Sequence, residues 1–104
     1  MKEAWLKCSL SNGMFPDEFG VSFRAGNGED VSLFVFNYFV DAQSKKLRVQ
    51  IVERRGDQVL VLLPVESLNG SRVVPVSDKD LFESKEAKLR SHASEQRKDS
   101  GSTL

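Results

Sequence analysis

The feature that most constrains this chain is a succession of short segments in which apolar and polar residues alternate strictly, each ended by turn-forming residues. Leu6, Cys8 and Leu10 alternate with Lys7 and Ser9, and Phe19, Val21 and Phe23 alternate with Gly20, Ser22 and Arg24. Leu47, Val49 and Ile51 alternate with Arg48 and Gln50, and Val59, Val61 and Leu63 resume the pattern after Arg55-Gly56-Asp57. A period of two puts all apolar side chains of a segment on one face of a β-strand. The fold class expected is therefore all-β.

The punctuation sets the pairing. Asn12-Gly13 turns the chain into a loop, Met14 to Glu18, in which Pro16 lacks a ladder donor and biases Phe15 toward extended backbone. Gly26-Asn27-Gly28 supplies the positive φ of a tight hairpin, so the second and third strands pair antiparallel. Asn69-Gly70-Ser71 matches a glycosylation sequon and reads as a further turn. The last strand, Arg72 to Val76, carries Pro75, which places it at an edge or a strand end. Ser77, three residues before Asp80, predicts a capped helical turn that lays Leu81 and Phe82 over an open end of the sheet.

The third strand, Val31 to Val40, breaks the rule because it is apolar at both parities. Either it is covered on both faces or part of it is not regular strand. If Leu33 and Val35 point inward, then Phe34, Phe36 and Tyr38 point outward, and a small monomer rarely exposes that much apolar surface. These three residues are the candidate partner-binding or self-association set. A covering loop such as Met14-Phe15 is the alternative.

The 104 residues allow one core, assigned to residues 1 to 82. From residue 83 to 104 the composition turns polar, with too few apolar residues to bury a helix face, and this tail is expected to be disordered. Cys8 has no partner cysteine and fits a buried strand position, and no metal-ligand spacing emerges, so no cofactor or metal is expected. The N-terminal residues lack a secretory apolar segment and no window is long enough to span a membrane, which leads to a cytoplasmic protein as the expectation.

Six alternating segments joined by tight turns form the outline of a small SH3-like barrel or roll of five to six antiparallel strands. The hairpin from Leu47 to Leu63, followed by Val73-Val74-Pro75-Val76 and the turn at Asp78 to Leu81, resembles the end of SH3-like barrels. That resemblance implies a module that binds peptides, nucleic acid or other domains. The aromatic ligand groove of the peptide-binding members has no counterpart here, so no binding residue is carried over.

Catalysis finds little material. The single histidine, His92, lies in the tail, and the pairs Asp17-Glu18, Glu29-Asp30 and Asp78/Asp80 sit where turns favour acidic residues, so the chain is read as not an enzyme. Fifteen Lys/Arg balance fifteen Asp/Glu, which removes any whole-chain steering toward nucleic acid. A nucleic-acid surface would have to use Lys45, Lys46, Arg48, Arg54 and Arg55, with Trp5 or Tyr38 as stacking platforms. The terminal Ser102-Thr103-Leu104 resembles a ligand for a carboxylate-capturing domain. The reading that results is a non-catalytic protein-protein interaction module, with a nucleic-acid-binding barrel as the alternative.

Overall fold

The computed structural model describes residues 1–83, which form an all-β domain of two antiparallel sheets. Nine strands follow in order: β1 (Lys2–Lys7), β2 (Ser9–Asn12), β3 (Glu18–Arg24), β4 (Asp30–Phe36), β5 (Val40–Asp41), β6 (Lys46–Arg55), β7 (Gln58–Leu62), β8 (Val73–Ser77) and β9 (Leu81–Glu83). Two 3-10 turns, Asn37–Phe39 and Asp78–Asp80, precede β5 and β9. One sheet runs β8-β7-β6-β1-β9, with β5 also on β6, and the other runs β2-β3-β4.

The alternating residues do face one core. Ala4, Leu6, Val21, Leu33, Val35, Leu47, Val49, Val59, Val61 and Val76 are all buried in a single cluster drawn from both sheets. The strand count rises to nine because three segments do not behave as uninterrupted strands or as coil. The first segment changes sheet at Cys8: β1 pairs with β6 and β9, β2 pairs with β3, and between them the Cys8 N–H donates to the Lys45 carbonyl at 3.1 Å. Alternation continues through that break, so periodicity alone does not reveal it. The third segment ends as a strand at Phe36 and winds into the 3-10 turn, which leaves Val40 and Asp41 to pair with β6.

The closing turn corrects one expectation. Ser77 makes no side-chain cap; the Leu81 N–H donates to the Asp78 carbonyl and the Asp78 N–H to the Asp57 carbonyl at 2.9 Å. Leu81 and Phe82 do not lie over an open end but continue as β9, in register with Leu6 and Trp5 of β1. The physical reason is that β1 would otherwise be an edge, and three residues of β9 satisfy part of its free ladder.

Two local devices shape the frame. At Gly13 an added Cβ would stand 2.6 Å from the Glu18 carbonyl oxygen, so only glycine lets the two backbones approach for the Gly13 N–H to reach that oxygen at 3.1 Å. In β6 the register shifts between Ile51 and Glu53, and Val52 is the extra residue. The bulge brings Arg54, rather than Glu53, opposite the core residue Val59. Pro75 falls on β8, an edge strand, as its missing donor requires. Asn69-Gly70 forms a turn closed on buried Ser67, whose hydroxyl meets the Asn69 side chain and accepts the Ser71 N–H at 3.0 Å.

Candidate interaction surface

The two faces of β4 separate the apolar residues that periodicity left unassigned. Val31, Leu33 and Val35 are buried, whereas Phe36 is 54% exposed. Because the strand ends there, the 3-10 turn sets the next ring beside it: Phe36 and Tyr38 stack with centroids 6.3 Å apart and planes 11° from parallel, and Tyr38 is 61% exposed. Tyr38 also leans on Phe39, at 4.2 Å between centroids, and Phe39 in turn packs partly against the core. The exposed pair is thus anchored at its base.

Phe34 behaves differently from its two companions. It shares their outward parity but is half-buried, because its cross-strand partner is Gly20 and its ring stands 3.5 Å from where a Cβ on that glycine would be. The ring covers the gap the glycine leaves, which is also why Gly20 is buried on an outward face.

The loop before β3 reaches the same end of the small sheet without covering it. The Asn37 N–H donates to the Asp17 carbonyl at 2.9 Å, and Glu18 is the cross-strand partner of Phe36. Met14 and Phe15, which were candidates to shield the rings, are themselves 73% and 64% exposed. Four large apolar side chains therefore stand in solvent on the two segments that this backbone hydrogen bond joins. Sequence reasoning offered Met14 and Phe15 only as a cover for the rings and not as part of the exposed surface, although two large apolar residues just before a proline in a loop were the available signal.

No family model, curated protein or solved structure matches the chain.

The basic residues considered for nucleic acid are spread over the larger sheet and largely engaged. Arg54 donates from Nη1 to Asp78 at 2.8 Å and from Nη2 to Glu83 at 2.5 Å, so it ties the closing turn to β9. Arg55 binds Glu53 at 2.8 Å, and that hydrogen bond holds the Glu53 carboxyl below its ordinary value. Arg48 pairs with Glu3 at 3.4 Å and lies 5.4 Å from the Trp5 ring, while the Lys46 ammonium sits 4.2 Å above Phe82. The Arg48 Nε itself is buried without a hydrogen bond, its contact with Glu3 being an ion pair only. Lys45 occupies the turn before β6 with φ of 58°. Of the two proposed stacking platforms, Trp5 shares one face of the larger sheet with its cross-strand partner Arg48 and with Lys46, whereas Tyr38 stands apart on the 3-10 turn.

A cleft of about 270 Å³ lies where Phe39, Arg48 and Gln50 face Leu62, Pro64 and Arg72. Arg72 is committed to its wall, donating to the Leu63 and Pro64 carbonyls at 3.1 and 3.2 Å. Cys8 is half-buried with its thiol toward the Lys45 carbonyl at 3.6 Å, and burial pushes it up to about 11, so it stays protonated and unreactive near neutral pH. Among the described residues no group of three or more His, Cys, Asp or Glu is placed to hold a metal, and no helix is long and apolar enough to cross a membrane. Glu83, the first residue assigned to the expected disordered tail, instead ends β9 and pairs with Lys2 and Arg54, and the rest of that tail, with His92 and Ser102-Thr103-Leu104, lies outside the described residues.

Proposed function

We propose that this chain is a cytoplasmic, non-catalytic interaction module with an SH3-like barrel, which meets a protein partner or a second copy through Phe36 and Tyr38, flanked by Phe34. The observation that carries the reading is the stacked, mostly exposed ring pair at the end of β4, on a strand whose inward parity is already filled by Leu33 and Val35. Rings held in this way add large contact area at little entropic cost and are enriched at interfaces. The order β9-β1-β6-β7-β8, with a 3-10 turn entering β9, supports the SH3-like reading of the larger sheet. The nucleic-acid alternative draws less support, because Arg48, Arg54 and Arg55 are already paired with carboxylates.

The test is affinity capture from a native lysate with the wild-type chain and with the double variant Phe36→Ser/Tyr38→Ser. Captured species that disappear with the variant, at an unchanged thermal midpoint, are the expected result. The same species captured by both proteins would overturn the assignment.

A further inference from the structure

The surface aromatic rings of this domain differ in what faces them. Trp5 carries the Arg48 guanidinium at 5.4 Å and Phe82 carries the Lys46 ammonium at 4.2 Å. Each of those rings has its electron-rich face matched by a cation of the chain itself. The exposed pair Phe36 and Tyr38 has none among the described residues.

Local charge points the same way. Residues 9–23 and 31–44, which run from β2 into β3 and from β4 through the 3-10 turn to β5 on the larger sheet, contain no lysine or arginine, and their ionisable acids are Asp17, Glu18 and Asp41. The cations that the fold brings nearby, Lys46 opposite Asp41 and Arg48 and Arg72 in the cleft lined by Phe39, come from the larger sheet's side. Two of the three acids have other employment. Asp41 accepts the Gln43 and Ser44 N–H groups at 3.1 and 3.3 Å, and a hydrogen bond from Ser44 holds its carboxyl below the ordinary value. Glu18 accepts the Met14 N–H at 2.8 Å. Asp17 has no side-chain partner among the described residues, yet its backbone is hydrogen-bonded to Asn37, between the two stacked rings in sequence.

From this juxtaposition we infer that the aromatic end of the small sheet docks a cationic segment of a partner protein, an arginine or lysine resting on Phe36 and Tyr38 with Asp17 as its counter-ion. This inference rests on the proposed function and names the chemistry of the partner. A second copy meeting the first through this same end fits poorly, since it would bring the same carboxylates and no cation. An arginine is suited to the site because its planar guanidinium stacks on a ring while donating to a carboxylate. Met14 and Phe15, exposed in the loop that carries Asp17, offer apolar contact for residues flanking that cation.

The experiment uses the full chain and two fluorescein-labelled, end-blocked peptides, Leu-Arg-Thr-Arg-Leu-Arg and its counterpart with glutamate at each arginine, followed by anisotropy at low salt. A ring contact and an exposed ion pair together predict about ten-fold tighter binding of the arginine peptide. Asp17→Lys should abolish that preference, and Phe36→Ala/Tyr38→Ala should weaken the arginine peptide by about three-fold, the rings' share of it. Equal binding of both peptides, lost in the ring variant, would overturn the charge inference and leave the interaction surface standing. Arginine-peptide binding that ignores the ring variant would overturn both. A full-chain variant with Lys85, Lys88, Arg90, Arg97 and Lys98 changed to glutamine controls for the chain's own tail. If it binds the probe about ten-fold more tightly than wild type, the tail occupies the site and the external partner is overturned.

Discussion

Truncating Leu33 and Phe36, three residues apart on one strand, should cost very different amounts of stability, and the difference measures whether the aromatic run belongs to the core. Leu33 is 1% exposed, and replacing such a leucine with alanine costs about 2 to 5 kcal/mol in transfer and cavity terms. Phe36 is 54% exposed, so Phe36→Ala forfeits less than half of the roughly 1.5 to 3 kcal/mol that full burial of such a side chain provides, about 1.4 kcal/mol at most. At about 0.05 to 0.15 kcal/mol per residue, the described domain has a total stability of only about 4 to 12 kcal/mol. Leu33→Ala therefore removes about a sixth of it or more. In urea, with a slope of about 1 kcal/mol per molar for a domain of this size, the midpoint should fall by about 3 M for Leu33→Ala and by no more than about 1.4 M for Phe36→Ala. Equal losses would show that Phe36 is structural, and the interaction surface would lose its central residue.

Two further outcomes test the frame and the buried thiol. Gly13→Ala should cost about 2 kcal/mol or more, because its Cβ would meet backbone atoms of Glu18 at 2.6 and 2.7 Å, whereas Gly28→Ala, strained only by its φ of 91°, should cost about 1 kcal/mol; urea midpoints in the reverse order would refute the close approach at Gly13. Burial raises the Cys8 thiol from 9.0 to about 11, so the folded state holds that proton more tightly than the unfolded chain. The associated stability is fully present below pH 9.0 and is lost as pH rises through about 11, and Cys8→Ser should lack that component; superimposable pH profiles of the two thermal midpoints would refute it.

The chain's own order of residues determined the class of fold and the inward face of most strands. Alternation with a period of two can satisfy only a half-buried strand, and glycine-bearing turns can only reverse it, so Leu47 to Ile51, Val59 to Leu63 and the hairpin at Gly28 were legible residue by residue. The parity of β4 was legible as well, as a conditional: given Leu33 and Val35 inside, Phe36 and Tyr38 lie outside. Only tertiary structure decided the rest. The change of sheet at Cys8 leaves periodicity intact, and β9 forms because the free edge of β1 recruits three residues distant in sequence. The bulge at Val52 re-aims Arg54 onto Asp78 and Glu83, which turns a charge that looked available for phosphate into a structural tie. Phe34 is drawn partly inward by the gap over Gly20, and Asp17 joins the rings through one backbone hydrogen bond to Asn37. Such partnerships cross many residues of chain, and a local pattern carries no information about them: a strand's faces follow from its own side chains, but its neighbours are chosen by which edges the whole fold leaves unpaired.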